Sequence, residues 1–92
     1  MKIQELLSDE SKWTKGVLSL DKDGNEIDLN SLDAVSWCEV GAIYRCYSLD
    51  SSSILKRVSE YLHSKFNTDI VTFNNFNATF ADIQRMNKEL DI

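Results

Sequence analysis

The most apolar stretch of the chain runs from Ala34 to Tyr47 and contains few strongly polar residues. Those polar residues are Ser36, Glu39 and Arg45. A helix with this pattern is apolar on almost every side, so it belongs at the centre of a small domain. We therefore predict a central helix over about residues 32–47. Its predicted structural core residues are Trp37, Cys38, Gly41 and Ala42, of which the last two form a flat surface for close packing.

Polar residues before this stretch provide a start for the predicted central helix. Asn30 or Ser31 can cap it, and Asp33 would favour its positive N-terminal end. Glu39 is the one acid within the apolar run. Because burial of an unpaired carboxylate costs several kcal/mol, we expect Glu39 at the solvent edge of the helix. The alternative is a buried acceptor for a tryptophan N–H or a backbone amide.

Two further helices are predicted from amphipathic spacing, over about residues 52–66 and 80–90. In the first, the apolar residues are Ile54, Leu55, Val58, Tyr61, Leu62 and Phe66, at the spacing of one helical face. Asn67 is a plausible stop for it, whereas Thr79 and Asp82 form a capping box for the second. A short first helix is predicted over residues 2–7. Residues 69–78 fit either an extended piece or a single helical turn.

A β-hairpin is predicted over about residues 17–29. Val17–Leu20 and Glu26–Leu29 are its two short strands, and residues 21–25 have the composition of a tight turn with Gly24 in the left-handed conformation. Because a lone hairpin is marginal in water, it should lie against the helices. The predicted fold class is therefore α+β and mostly helical. Residues 1–92 are predicted to form a single compact domain, in which three to four helices pack with one hairpin.

The net charge of the chain argues against some classes of binding partner. The formal net charge is −5, and residues 1–33 carry four Lys against eight Asp or Glu. No basic face is visible that could replace the counterions of a nucleic acid or bind an anionic membrane. We therefore expect no direct nucleic-acid partner and no membrane association. Cys38 and Cys46 are too far apart on one helix for a disulfide, and the N-terminus lacks a signal-peptide core, which favours a cytoplasmic protein.

The sequence gives only weak support for a catalytic or metal-binding function. Asp21, Asp23 and Asn25 match the first ligand positions of an EF-hand loop, but Glu26 stands where Gly is required and Leu32 where a bidentate Glu is required. Cys38 is a possible nucleophile and His63 a possible base, yet nothing in the sequence positions them together. A buried structural cysteine and an exposed histidine are the alternative interpretations. We predict a non-catalytic protein without cofactor or metal.

Two sets of residues are candidates for binding. The first set is Trp13 with Asn74 and Asn75, which could line a groove for a small ligand; the alternative places the aromatic ring in the core and the amides in turns. The second set is acidic and consists of Asp21, Asp23, Glu26 and Asp28. An acidic surface of this kind could dock on a basic partner and gain association rate from its charge.

Several short motifs resemble a family of small uncharacterised bacterial and phage proteins, over about residues 13–90. Their order is W-x-x-G at Trp13–Gly16, a D-G turn at Asp23–Gly24, and W-C-x-x-G-A at Trp37–Ala42. The segment Ile70–Asn75 is similar to the family's I-x-x-W-N-D segment, with Phe73 in place of Trp and Asn75 in place of Asp. The Pro and Gly that usually follow are replaced here by Phe76–Ala78. The family is a domain of unknown function, so the resemblance implies a compact fold in a bacterial or phage setting.

These observations predict a small acidic, non-catalytic protein that acts by binding another protein. The resemblance adds a finer expectation, a phage-encoded modulator of a host factor in the host cytoplasm. A different class of function is a small-ligand-binding module that uses Trp13 and the Asn74–Asn75 turn.

Overall fold

A computed structural model describes residues 1–92 and confirms a mostly helical α+β fold. The elements in chain order are α1 (Ile3–Leu6), β1 (Ser19–Asp21), β2 (Ala34–Trp37), α2 (Glu39–Tyr47), α3 (Ser51–Phe66), α4 (Ile70–Thr72) and α5 (Phe80–Glu89). Short 3₁₀ turns occupy Glu10–Lys12 and Ser48–Asp50, and a π turn occupies Phe73–Asn77. None of these helices has both the length and the apolar character that crossing a membrane requires.

The predicted hairpin over residues 17–29 forms only in part. The turn itself forms, since the amide of Gly24 donates to the carbonyl of Asp21 at 3.1 Å and Gly24 has φ +80°. Beyond the turn, Glu26 makes an isolated antiparallel bridge to Leu20, and the amide of Ile27 donates to the carbonyl of Ser19 at 3.4 Å, but residues 26–29 do not form a strand. The partner of β1 is instead β2, antiparallel, with a bulge between Leu20 and Asp21. Residues 34–37 thus extend the sheet that residues 26–29 were expected to complete.

The central helix is shorter than the predicted range of residues 32–47, because its first part is strand β2. Helix α2 begins at Glu39 and ends at Tyr47, and Cys38 caps it by accepting from the amide of Gly41 at 3.3 Å. Asn30 and Ser31 do not cap it and lie in turns before β2 instead. Within β2 the side chains of Ser36 and Trp37 are buried while Val35 is exposed. A β-branched residue and an aromatic one suit this half-buried strand.

The two amphipathic helices lie within one residue of their predicted bounds. Helix α3 ends at Phe66. Asn67 follows it in the left-handed conformation, and the amide of Asn67 donates to the carbonyl of His63. Helix α5 begins with the predicted capping box, in which the Thr79 hydroxyl and the Asp82 carboxylate each accept a backbone N–H. Between them, residues 70–77 form one α turn and one π turn rather than an extended piece.

The core lies between α1, α2, α3 and α5. Its fully buried members include Ile3, Leu7, Ile43, Val58, Leu62, Ile83, Met86 and Ile92. The flat surface expected at Gly41 and Ala42 receives the backbone of Leu18. A Cβ on Gly41 would lie 2.1 Å from the Leu18 carbonyl oxygen, so only glycine fits there. Trp37 is buried, and its indole N–H donates to the carbonyl of Leu29 at 2.9 Å.

Candidate functional site

Asn74 connects three parts of the chain through four hydrogen bonds. Its Oδ1 accepts from the indole N–H of Trp13 at 2.8 Å and from the backbone N–H of Glu39 at 3.0 Å. Its Nδ2 donates to the carbonyl of Thr14 at 3.1 Å and to Oδ1 of Asn75 at 2.9 Å. All hydrogen-bonding capacity of this buried amide is therefore used within the protein. The structure does bring the predicted set of Trp13, Asn74 and Asn75 together.

The neighbouring Asn75 fixes the loop that carries Trp13. Its Oδ1 also accepts from the backbone N–H of Gly16 at 2.9 Å, where the chain has φ +84°. The Trp13 ring packs against Phe80 with 6.0 Å between centroids, and the Lys15 ammonium lies 5.0 Å from the Trp13 centroid. These contacts hold residues 13–16 against the π turn and α5.

A small groove of about 180 Å³ lies beside this network. It is lined by Gly16, Val17, Leu18, Cys38, Val40, Val71, Asn74 and Asn75. Trp13 is not among them, because its indole faces Asn74 and Phe80 instead. The groove is mostly apolar and would accommodate an aliphatic group rather than a charged one.

Cys38 lies in this groove without the surroundings of a reactive thiol. Burial raises the pKa of its thiol, against the lowering effect of the backbone N–H of Gly41. The pKa of Cys46 is raised to about 11, again mainly by burial. Reactive cysteines need a lowered pKa, as near a cation or an exposed helix N-terminus. No cluster of three His, Cys, Asp or Glu side chains is arranged to hold a metal ion.

Of the predicted acidic set, Asp21 is the last residue of β1, and the other three residues lie on the long connection between β1 and β2. Asp23, Glu26 and Asp28 are exposed and Asp21 is half-buried. Oδ1 of Asp21 accepts from the amides of Asp23 at 2.9 Å and of Asn25 at 3.0 Å. In the same way, Oδ1 of Asp28 accepts from the amide of Asn30 at 2.8 Å. These side-chain-to-backbone bonds order the loop and fix where its charges lie.

Residues 21–33, named here the acidic loop, also expose apolar surface. A shallow groove of about 360 Å³ is lined by Asp21, Lys22, Asp23, Ile27, Leu32, Asp33 and Val35. Leu32 is 95% exposed, and Val35 in the same groove is exposed as well. Sequence reasoning missed Leu32 and Val35 because it assigned both to the central helix. The acidic loop and the Asn74 network line separate grooves.

Glu39 is the clearest correction at residue level, since it is fully buried rather than at a solvent edge. It accepts a hydrogen bond at 3.0 Å from the amide nitrogen of Asn87, which is buried too. Burial raises the pKa of Glu39 to about 8, opposed by this hydrogen bond. Helical spacing places Asn87 on the same face as Ile83 and Met86, and this was the signal for a buried polar partner.

Comparisons with known proteins add no identification. No protein-family model, curated protein or solved structure matches this chain. The resemblance to small bacterial and phage proteins therefore stays a prediction, and function has to be argued from the surfaces described above.

Proposed function

We propose that this chain is a small acidic, non-catalytic protein that acts by binding another protein through the acidic loop. The observation that carries the proposal is the shape of this loop, which presents carboxylates around exposed Leu32. Contiguous apolar patches rimmed by polar groups mark interaction sites, and here exposed Leu32 and Val35 share one groove with half-buried Ile27. The family resemblance adds a finer proposal, a phage-encoded modulator of a host factor in the host cytoplasm.

The charge of the acidic loop defines the partner's chemistry. Within residues 21–33 there are five Asp or Glu and a single Lys. A complementary partner carries Lys or Arg around an apolar contact for Leu32, so that opposite charges accelerate encounter while the apolar contact slows release. The hydrogen bonds of Asp21 and Asp28 to the loop backbone preorganise the surface, which reduces the entropy lost on binding.

Neutralisation of the loop tests this proposal. The variant Asp21→Asn, Asp23→Asn, Glu26→Gln, Asp28→Asn keeps the oxygens that accept the loop hydrogen bonds and removes four charges. Partner capture from host lysate at about 50 mM salt should fall about tenfold, and its remaining dependence on salt should weaken. Calorimetry with the captured protein then gives the dissociation constant.

A matched control removes the same charge elsewhere. The variant Glu5→Gln, Glu10→Gln, Asp50→Asn, Glu60→Gln changes four exposed carboxylates outside the acidic loop. It should bind as the unchanged protein does. Equal affinity of the loop variant and this control would contradict the proposal, as would a partner that the loop variant binds with unchanged affinity.

A second candidate function is small-ligand binding in the groove beside Asn74 and Asn75. The groove of about 180 Å³ with its apolar lining favours this alternative. A thermal-shift screen of metabolites and nucleotides tests it, because a ligand at a hundredfold excess over its dissociation constant stabilises a protein by about 2.7 kcal/mol. Substitution of Val71, an exposed groove residue, by Asp should abolish any shift that arises there. A screen without any shift would speak against this function.

A further inference from the structure

Glu39 and Asn87 form a buried polar pair in which two atoms have no hydrogen-bond partner. The pair joins the start of α2 to the last turns of α5 through one bond, from Asn87 Nδ2 to Glu39 Oε1 at 3.0 Å. The second carboxylate oxygen of Glu39, Oε2, and the amide oxygen of Asn87, Oδ1, are buried without any hydrogen-bond partner. Buried polar atoms are rarely left without a hydrogen-bond partner, so these two unpaired atoms need an explanation.

The two unpaired atoms are both hydrogen-bond acceptors when Glu39 is ionised. A carboxylate has no proton to give, and the amide oxygen of Asn87 has none either. A neutral carboxylic acid differs, because it gains one O–H donor while keeping an acceptor oxygen. An acid and a primary amide can then form two parallel hydrogen bonds, in which each group donates once and accepts once.

We infer that Glu39 is held as a neutral acid in the native fold, with its Oε2–H donating to Oδ1 of Asn87. This one proton gives both unpaired oxygens a hydrogen-bond partner. Two hydrogen bonds then join Glu39 on α2 to Asn87 on α5. When the proton leaves to solvent, the Oε2 bond is lost and a charge remains in an apolar surrounding. The pair is therefore a pH-sensitive contact that opens on the alkaline side.

The electrostatic surroundings fit a neutral acid, since no cation lies near enough to stabilise the carboxylate. Burial and the Asn87 bond are the causes that act on the pKa of Glu39. The titratable groups that respond to its charge are the thiols of Cys38 and Cys46, whose pKa values it raises. The other acidic and basic side chains of the surrounding helices lie towards the surface. Arg45 on α2 and Asp82 on α5 are half-buried, and the exposed ones are Glu5 on α1, Lys56, Arg57, Glu60, His63 and Lys65 on α3, and Arg85, Lys88 and Glu89 on α5.

Opening of the pair would act on α5 and on the groove that Asn87 borders. That groove lies between α1 and α5 and has Gln4, Arg85 and Lys88 on its walls. The backbone oxygen of Asn87 accepts from the Gln4 amide at 3.3 Å and from the amide of Ile92 at 3.0 Å, so α5 is tied to α1 at this point. A newly charged Glu39 would be rehydrated through this groove, and α5 would loosen.

Carbon NMR tests the inference directly on the unchanged protein. The Cδ shift of Glu39 should be that of a protonated acid at pH 6, and its titration midpoint should lie at least about two pH units above the value of about 4.3 for a glutamate in a model peptide. Amide hydrogen exchange in α5, corrected for the intrinsic pH effect, should accelerate about tenfold above the midpoint. An ionised Glu39 at pH 6, with a bridging water or cation between the oxygens, would overturn the inference.

The isosteric variant Glu39→Gln provides a second and independent readout. Its amide can donate to Oδ1 of Asn87 and accept from Nδ2, so both bonds persist without a titrating proton. Exchange in α5, corrected in the same way, should then show no added acceleration across the midpoint of the unchanged protein. A variant that accelerates just as the unchanged protein does would refute the role of Glu39, and the NMR titration stands even if the variant does not fold.

Discussion

Asn74 is the residue whose substitution should tell most about how this fold is held together. Its side chain accepts from Trp13 and Glu39 and donates to Thr14 and Asn75, so it links the N-terminal loop, α2 and the π turn. Asn74→Ala removes all four bonds. Asn74→Asp keeps the two accepted bonds and places a carboxylate oxygen where two donated bonds were made.

The magnitude follows from the bond count. A hydrogen bond contributes about 1 kcal/mol net, and more when its loss strands a buried group. Asn74→Ala should therefore lower the free energy of unfolding by about 4 kcal/mol, a large share of the 5–15 kcal/mol typical of a whole domain. Asn74→Asp should lose more than about 2 kcal/mol at neutral pH, because two bonds are lost and a buried carboxylate then faces the Thr14 carbonyl and Asn75 Oδ1. Part of that loss should return on acidification, because protonation of the aspartate restores one donor.

Urea unfolding followed by circular dichroism measures both losses, and the fluorescence of Trp13 and Trp37 follows the local packing. Asn77→Ala is the matched control, since Asn77 is an exposed amide on the same π turn and makes no side-chain hydrogen bond. It should change stability by less than about 0.5 kcal/mol. If Asn74→Ala is as stable as Asn77→Ala, the four bonds do not stabilise the fold and the reasoning fails.

Three other predictions concern Gly41, Glu39 and the two cysteines. Gly41→Ala should destabilise by about 2 kcal/mol in urea, since its Cβ would overlap the Leu18 carbonyl and this outweighs a gain of about 1 kcal/mol in helix propensity. The pKa of Glu39 is about 8 in the fold against 4.5 for an unperturbed Glu, so the folded state holds more protons between these values. Its contribution to the free energy of unfolding should therefore fall by up to about 5 kcal/mol as the pH rises through this window, and Glu39→Gln should lack this slope. Cys38 and Cys46 should alkylate slowly at neutral pH, and fast labelling of either native thiol would contradict their raised pKa values.

Controls keep these results interpretable. Gly24→Ala separates backbone strain from overlap, because Gly24 has φ +80° but open space where a Cβ would be added. A loss of about 1 kcal/mol there would reflect conformation alone. For the pH series, Glu60→Gln removes an exposed carboxylate and should leave the alkaline slope unchanged.

Features that depend on local sequence were predictable. Helix α3 has a regular apolar face and a left-handed stop at Asn67, and α5 has a capping box, so neighbouring residues alone define their bounds. The close approach at Gly41 was predictable in kind, since glycine followed by alanine leaves room for a second backbone. Leu18 could not be named as the neighbour, because nothing local links it to α2.

Features that depend on distant partners were not predictable. Residues 34–37 are strand because β1 pairs with them, and a short apolar run gives no periodicity that distinguishes strand from helix. Glu39 is buried because Asn87 lies opposite it, 48 positions away. Trp13 and Asn74 were grouped as a candidate ligand site, but the hydrogen bonds of Asn74 to Trp13 and Thr14 were not predicted, because these partners lie about sixty positions upstream.

The two-stranded sheet restricts how any partner can be recognised. One edge is occupied by the parallel bridge between Trp13 and Trp37, and the other by the bridge between Leu20 and Glu26. Recognition by strand addition requires a row of free backbone groups, which also promotes aggregation through sheet edges. The strands are short and each edge carries one of these bridges, so the sheet offers no long row of free backbone groups, and we expect a partner to recognise side chains rather than extend the sheet. Its specificity would then change with single substitutions on the acidic loop.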